Sequence, residues 1–343
     1  MTNSIARRAA LKLGVAFTVA LGLAGTPAKA QEEANYILAT ASTGGTYYPV
    51  GVAIATLVKT KLQPEYGIGL SAINSAGSAE NVRLLRENEA QFAILQGLFG
   101  YYARTGTGPL ESEGPQKNLR SMTMLWQNVE HFVVAEAAAE TGTMSDFVGL
   151  KGSNIGLGGR NSGSRISSGE ILKGLGVDPD KDYSLMFAGY GPTAEALQNG
   201  QISGLSTPAG VPAGAISQLK ASMGDGAKIL NFTPEQREQA DQGRELWTEY
   251  VIPSGTYPGQ KEDVTTIAQP NFLALNADLP EENVYLITKA IYENLPFLQA
   301  IHPATKAMSL EKAIEGLPLP LHPGAIRYYE EQGITIPDRL KAN

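Results

Sequence analysis

The chain has 343 residues, no cysteine and a formal net charge of −7. The absence of cysteine excludes disulfides and a lipid carried on a cysteine, and the acidic balance argues against nucleic acid or an anionic membrane surface as a partner. A chain of this length exceeds what one hydrophobic core usually organises, so it predicts two domains.

The first 30 residues predict a cleaved secretory signal peptide. A charged start at Arg7-Arg8 and Lys12 precedes the apolar run Leu13 to Leu23, and Ala28-Lys29-Ala30 supplies a small-residue cleavage site. The apolar run is shorter than the roughly 20 residues that span a bilayer, which disfavours a membrane anchor. The arginine pair also suggests a twin-arginine signal, so export to the periplasm by the Sec or the twin-arginine route stays open.

The first strand-like segment, Tyr36 to Thr40, leads into the polar, glycine-paired loop STGGTYYPVG, Ser42 to Gly51. Apolar residues from Val50 to Val58 follow at helical spacing, so a helix begins directly after the loop. Backbone N–H groups and hydroxyls at the start of a helix favour an anion. The residues predicted to hold one end of a small carboxylate are Thr43, Gly44, Gly45, Thr46 and Tyr47.

Further apolar runs alternate with helical patterns along the chain. The runs that predict strands are Ile68 to Ile73, Phe92 to Gln96, Asn154 to Leu157, Tyr183 to Phe187 and Phe272 to Leu275. This alternation predicts α/β domains with largely parallel sheets.

Ligands bind outside the carboxyl ends of parallel strands. Asn81 and Gln96 are therefore predicted ligand contacts, although each also fits a purely structural amide. Ser75 is predicted to contact the ligand beside them, and Ser78 is predicted to cap the helix that contains Asn81.

Two crossings between domains are predicted, one at the strand-like segment His131 to Ala135 and a return near Lys228 to Phe232. The predicted organisation is a signal peptide (1–30), a first lobe in two parts (31–135 and 230–343) and a second lobe (136–229).

The second lobe has its own glycine- and serine-rich loop before a helix, GGRNSGSRISSGEIL from Gly158 to Leu172. Hydrogen bonds to the ligand are predicted from Asn161, Ser162 and Ser164. Arg165 is predicted to bind a ligand carboxylate through two hydrogen bonds. The alternative is a turn with a capped helix and an Arg165 that faces solvent.

Tyr190, Pro208 and Tyr257 complete the predicted site. A tyrosine ring with one hydroxyl suits a ligand with a short carbon chain and polar ends. Partial burial in the core fits a tyrosine equally well when residue type alone is considered.

No motif for a nucleotide, a metal or a catalytic nucleophile stands out. Asn161 occupies the place of the third glycine in G-x-G-x-x-G, and the sequence has no G-x-S-x-G or H-E-x-x-H. His322, before a proline and a helical pattern, is interpreted as a structural cap. The sequence therefore predicts a protein that is not an enzyme and has no cofactor or metal.

Five motifs occur in register: STGGTYYPVG from Ser42, SAGSAENVRLL from Ser75, VIPSGTYPGQ from Val251, LPEENVYLITKAIYENL from Leu279 and LPLHPGAIRYYEEQGI from Leu319. Over nearly the whole mature chain, this set resembles the TAXI proteins, the solute receptors of one class of tripartite ATP-independent periplasmic (TRAP) transporters. Two departures put the ligand in doubt more than the fold. Gly97-Leu98 stands where the family often has an acidic residue, and Ser203 stands where an aspartate is common.

The resemblance implies two α/β lobes of the periplasmic solute-binding type (type II-like), with the ligand in the cleft between them. It also implies a small carboxylate such as glutamate, glutamine or 2-oxoglutarate, and a TRAP permease as the membrane partner. The sequence thus predicts a periplasmic solute receptor. Two alternatives are a periplasmic ligand-sensing subunit of a signalling system and an enzyme on the same scaffold.

Overall fold

Two mixed β-sheets with flanking helices are formed by residues 33–341, the part of the chain that the computed structural model describes. The strands are β1 (Ala34–Ala39), β2 (Ile68–Ile73), β3 (Phe92–Gln96), β4 (Leu119–Val129), β5 (Phe132–Ala135), β6 (Asn154–Gly156), β7 (Ser184–Met186), β8 (Gly204–Ser206), β9 (Ala227–Ile229), β10 (Thr248–Ile252) and β11 (Val264–Asn276). The predicted signal peptide lies outside the described residues.

Helices follow most of the strands directly. They are α1 (Tyr47–Tyr66), α2 (Ser78–Arg86), α3 (Gly97–Thr105), α4 (Met144–Val148), α5 (Gly163–Gly174), α6 (Pro179–Asp182), α7 (Tyr190–Gln198), α8 (Gly214–Met223), α9 (Pro234–Asp241), α10 (Glu281–Glu293), α11 (Leu295–Ile301) and α12 (Pro323–Glu331). No helix within residues 33–341 is long and apolar enough to cross a membrane.

The first sheet has the order β10-β11-β3-β1-β2, with β4 paired to β11. β1 runs parallel to both β2 and β3. The helices α1 and α2 are the long connections that parallel strands require. Leu38 and Phe92 face each other in this register and are fully buried. The carboxyl ends of β1, β2 and β3 therefore lie at one edge of the sheet.

The long strand β11 joins the rest of the first sheet by antiparallel pairing to β3, β4 and β10. Its register with β4 shifts between Pro270 and Phe272. A proline has no N–H to donate to a ladder, so a break in register at this point is expected.

The second sheet has the order β7-β6-β8-β5-β9. β6 is parallel to β7 and β8, whereas β5 is antiparallel to β8 and β9. Between β4 of the first sheet and β5 of the second lie only Glu130 and His131, which we call the crossover. The domain boundaries stated from the sequence stay a prediction.

The α/β fold with two sheets is as the sequence predicts, but the expectation of largely parallel sheets is wrong. Four strand pairs of the described chain are parallel and five are antiparallel. The antiparallel pairs arise where the chain crosses from one sheet to the other or returns. β4 and β10 were not predicted, because β4 carries buried polar residues and β10 is a largely exposed edge strand. β8 was not predicted either.

Two predictions about helix starts have opposite outcomes. Ser78 is not the N-cap of α2, because Gly77 holds that position and the Ser78 hydroxyl instead accepts a hydrogen bond from the Gln96 N–H (3.1 Å). The structural role of His322 is confirmed. It is the N-cap of α12, and its Nδ1 accepts from the Gly324 N–H (3.2 Å).

The start of α12 packs so closely on α10 that only a glycine fits at position 324. A Cβ there would lie 2.3 Å from the Glu281 carbonyl oxygen and 2.7 Å from the Tyr285 nitrogen. We expect Gly324→Ala to lower the free energy of unfolding by about 1 to 3 kcal/mol, measured as a lower urea midpoint at unchanged slope. Glu330→Ala, at an exposed position of the same helix, should change it by less than about 0.5 kcal/mol. Equal midpoints for both variants would contradict this packing.

Candidate functional site

Five helices begin at the wall of one cavity, which has a volume of about 410 Å³. The helices α1, α2 and α3 follow strands of the first sheet, and α5 and α7 follow strands of the second. Their N-cap residues all line the cavity: Thr46, Gly77, Gln96, Ser162 and Gly189. Each helix start carries a partial positive charge of roughly half an elementary charge. The strand order of both sheets thus concentrates positive potential in one cavity.

No lining side chain carries a charge. The wall consists of glycine, alanine and proline together with two tyrosines, three amides and hydroxyl residues. The lining hydroxyl residues other than tyrosine are Ser42, Thr43, Thr46, Ser75, Ser78, Ser162 and Ser164. The site can therefore hold an anion through backbone dipoles and hydroxyl donors, without a direct ion pair.

Hydrogen bonds join the two sides of the cavity. The Gln96 amide donates to the Gly163 carbonyl (2.8 Å), and the Thr46 hydroxyl donates to the Gly210 carbonyl (3.0 Å). The approach at Gly163 is close, since a Cβ there would lie 2.8 Å from the Cβ of Ser78. The loops that follow the strands of each sheet are thus in direct contact around the cavity.

Asn128 presents an unpaired acceptor at the cavity wall. Because the Gly163 carbonyl can only accept, Gln96 must direct its Nε2 there, which leaves its Oε1 facing Asn128. The Asn128 Nδ2 donates to that oxygen (3.0 Å), so the Asn128 Oδ1 is left without a partner although the residue is only 2% exposed.

The two cavity tyrosines are held by hydrogen bonds on opposite sides. Tyr47 donates to Asn271 on β11 and packs edge-on against Trp126, with 6.2 Å between ring centroids. Tyr190 donates to the Pro208 carbonyl (2.7 Å). Burial raises the pKa of both hydroxyls, so both remain neutral donors at any physiological pH.

The crossover is buried and anchored to both sheets. The Glu130 N–H donates to the Ile267 carbonyl of β11 (2.9 Å), and the His131 carbonyl accepts from the Thr207 N–H that follows β8 (3.0 Å). His131 Nδ1 faces two carbonyl oxygens and must carry the proton, so its Nε2 accepts from the Tyr257 hydroxyl (2.7 Å). Burial lowers the pKa of His131 to about 4, which keeps the ring neutral.

Glu130 is fully buried, and neither of its carboxyl oxygens has a hydrogen-bond partner within residues 33–341. Burial raises the pKa of this carboxyl to about 8. The Trp247 indole and the Gln269 amide lie beside it and oppose the rise, but neither forms a hydrogen bond of good geometry with it. The carboxyl is therefore mostly protonated at neutral pH.

The structure brings most of the predicted site residues together around the cavity. Those that line it are Thr43, Gly45, Thr46, Tyr47, Ser75, Gln96, Ser162, Ser164, Tyr190 and Pro208. The predicted residues that are not part of the lining are Gly44, Asn81, Asn161, Arg165 and Tyr257.

Each residue outside the lining has a different environment. Arg165 forms an ion pair with Asp180 (2.5 Å), and Tyr257 supports His131 at the crossover. Asn81 is fully buried, where its Nδ2 donates to the Thr40 and Ile94 carbonyls and its Oδ1 accepts from the Ser75 hydroxyl. Asn81 thereby fixes Ser75, which does line the cavity.

Four polar residues of the lining were missing from the predicted site: Ser42, Asn74, Ser78 and Asn128. Ser42, Asn74 and Ser78 lie beside predicted contacts in the same two loops. Asn128 had one sequence signal, since polar residues interrupt the apolar run from Met122 to Val134. Its position at the wall depends on the pairing of β4 with β11, far away in sequence.

Residues 38–333 match the NMT1-like family. The chain belongs to the NMT1-like family. Among solved structures, it is similar to MatC from Rhodopseudomonas palustris with bound malate, at 16% identity and a TM-score of 0.56, covering 87% of this chain and 97% of MatC. It is also similar to a protein of Bordetella bronchiseptica RB50, at 15% identity and a TM-score of 0.52, covering 87% and 82%.

These likenesses show the fold of this NMT1-like protein, which is a mixed α/β fold with two sheets. Within residues 33–341, no group of three or more His, Asp or Glu side chains is arranged to hold a metal ion.

We expect the buried Glu130 to make stability depend on pH. Its pKa is raised from 4.5 to about 8, so the folded state binds more protons than the unfolded state between these values. Stability from this group is present below about pH 4.5 and is lost as the pH rises to about 8. The quantity to compare is the free energy of unfolding of Glu130→Gln minus that of the wild type. It should be more positive at pH 8.5 than at pH 4.5 by about 4 kcal/mol.

Urea unfolding at several pH values between 4.5 and 8.5 measures this difference. Glu136→Gln is the matched control, because Glu136 follows β5 and is exposed. Its free energy of unfolding should differ from that of the wild type by the same amount at every pH. A constant difference between Glu130→Gln and the wild type would contradict the raised pKa.

Proposed function

We propose that this protein is an extracytoplasmic solute receptor that binds a small carboxylate and delivers it to a membrane transporter. The observation that carries the proposal is the convergence of five helix N-termini on a cavity without a charged lining side chain. Such an environment stabilises an anion. The cavity volume of about 410 Å³ falls within the range of small-molecule sites, roughly 300 to 1,000 Å³.

The ligand that fits these groups has a carboxylate and a second polar group on a short carbon chain. The loop at Thr43 to Tyr47 contacts one end, and Ser162 to Ser164 contacts the other. Glutamate, glutamine and 2-oxoglutarate remain the first candidates, and the fold shared with malate-bound MatC adds malate.

Binding is proposed to hold the two lobes together. The hydrogen bonds from Gln96 and Thr46 that join the two sides would form as the cleft closes, and a ligand that contacts both sides would shift the population toward this form. Closure would use the crossover as a hinge. The closed surface is what a membrane partner would recognise.

The proposed partner is a TRAP permease, and the proposed location is the periplasm, reached by the Sec or the twin-arginine route. Both follow from the motifs that resemble TAXI proteins and from the first 30 residues. A ligand-sensing subunit of a signalling system would need the same cavity, so neighbouring genes for a permease or for a membrane kinase separate the two. A binding role is favoured over catalysis because the cavity lining contains no carboxylate, histidine or lysine.

Calorimetric titration of the mature protein, unfolded and refolded to remove any bound solute, tests the ligand class. The panel contains glutamate, glutamine, 2-oxoglutarate and malate, with alkanesulfonates and sugars as comparison classes. We expect submicromolar affinity, about −8 kcal/mol or better, for at least one carboxylate. Binding of only a sulfonate or a sugar would refute the carboxylate assignment. Recovery of chemically altered solute would show that the protein is an enzyme and would refute the receptor function.

Closure itself predicts a different effect for two glycines near the cavity. A Cβ at Gly163 would press on Ser78 and Gln96 across the cleft, whereas a Cβ at Gly191 meets nothing within 4 Å. Overpacking by about 1 to 3 kcal/mol should weaken binding of the panel ligand roughly 5- to 150-fold in Gly163→Ala. Gly191→Ala should bind within about twofold of the wild type. Titration of both variants, with unfolding midpoints to verify folding, compares them, and equal affinities would argue against closure at Gly163.

A further inference from the structure

One carboxyl group behind the cavity wall has no ion pair and no hydrogen bond of good geometry within residues 33–341. Glu130 is 0% exposed, both of its oxygens lack hydrogen bonds, and no ion pair within residues 33–341 includes it. A buried ionised carboxylate without a partner is strongly disfavoured. The site described above uses neither oxygen, so the structure leaves this group without a role.

The position of Glu130 relates it to the cavity on both sides. It lies two residues beyond Asn128, which lines the cavity, and Val129 between them pairs with Ala209, another lining residue. Asn128 is on β4 of the first sheet, and Ala209 follows β8 of the second. Burial is the main cause of the raised pKa of Tyr47 and Tyr190, and the Glu130 carboxyl adds to both. A negative charge on Glu130 would therefore lie close to the wall of the space that a ligand would occupy.

The surroundings of Glu130 offer no cation that could offset its charge. The groups that face it are Trp247 before β10, Gln269 on β11, Tyr47 at the start of α1, Tyr190 at the start of α7 and the neighbouring His131. All are neutral near pH 7, because burial raises the pKa of both tyrosines and lowers that of the histidine to about 4. When Glu130 is ionised, an anionic ligand would thus add a second negative charge to buried surroundings without a cation.

We propose that Glu130 makes ligand binding proton-linked: the cavity binds an anion with Glu130 protonated, and an ionised Glu130 takes up one proton from solvent when the anion binds. This inference rests on the proposed function. The proton leaves a hydronium ion or a buffer acid and forms the O–H bond of the carboxyl, and no other bond changes. The like-charge repulsion between ligand and carboxylate supplies the coupling.

The linkage has a defined direction. In the ligand-free protein, burial raises the pKa of Glu130 to about 8. At pH 6 the carboxyl is already protonated, so the protein takes up almost no proton when the ligand binds. Near pH 8 about half of the free protein must gain a proton, and at higher pH the uptake approaches one. The affinity should be constant from pH 6 to 7 and should then fall, by up to tenfold per pH unit well above the pKa.

The experiment is calorimetric titration with 2-oxoglutarate, malate and glutamate from pH 6 to 8.5, where none of them changes charge substantially. Tris and triethanolamine at pH 8, and bis-tris and imidazole at pH 6, are pairs of buffers that differ in ionisation enthalpy. None is an anion that competes for the site, so the difference in binding heat within a pair counts the protons taken up. The variants are Glu130→Gln and the control Glu136→Gln, in which an exposed carboxylate is neutralised on the far side of β5.

We expect wild type and Glu136→Gln to take up roughly half a proton at pH 8 and almost none at pH 6. Glu130→Gln should bind with no proton uptake and with an affinity that is independent of pH. Tight binding without proton uptake by the wild type would overturn the inference and leave the receptor function intact. Equal uptake by Glu130→Gln would assign the proton to another group and would also overturn it.

Absence of binding by all three ligands would overturn the proposed carboxylate function and the inference with it. The wild-type measurement decides the question even if Glu130→Gln does not fold, because the buffer comparison detects the proton without a variant.

Discussion

Partial positive charge at the start of five helices is concentrated at one cavity, and much of the remaining structure holds it there. Three of the helices follow β1, β2 and β3, whose carboxyl ends share one edge of the first sheet, and two follow β6 and β7 of the second. Helix starts on the same side of the cavity repel one another electrostatically unless an anion lies between them. Strand pairing and buried apolar side chains such as Leu38 and Phe92 oppose that repulsion.

The polar groups behind the cavity are arranged as a layer of neutral amides. Gln96 and Asn128 orient each other through one hydrogen bond, Asn271 accepts from Tyr47, and Gln269 accepts from the Leu98 N–H. Several atoms of this layer remain unpaired, including Asn271 Nδ2 and Gln269 Nε2. A polar layer of this kind lowers stability compared with an apolar core, which is typical of residues that serve binding.

Local signals explain which parts of the fold and site were predictable from the sequence. Glycines, serines and threonines directly before an amphipathic segment identified the loops at Thr43 to Tyr47 and Ser162 to Ser164, because turn and helix-start chemistry acts over a few residues. The predicted first and last residues of two strands, Ile68 to Ile73 and Phe92 to Gln96, match the structure for the same reason.

Features that depend on distant partners were not predictable. The Arg165 side chain meets Asp180, fifteen residues further on, and pairs outside the cavity lining. Asn128 and Glu130 acquire their environment from the pairing of β4 with β11 and from the passage of the chain between sheets. Strand direction is also a property of the whole chain path, so the mixed character of both sheets had no local signal.

The absence of charged side chains from the lining has a consequence for how the protein responds to dissolved salt. Exposed ion pairs weaken as ionic strength rises, because mobile ions screen charges over about 8 to 10 Å at physiological concentrations. Backbone dipoles that face a cavity are less accessible to those ions than exposed charges are. Affinity set by such dipoles should therefore vary little with salt concentration. The lining has no net charge, so it does not attract a ligand over long distances and does not increase the rate of ligand entry.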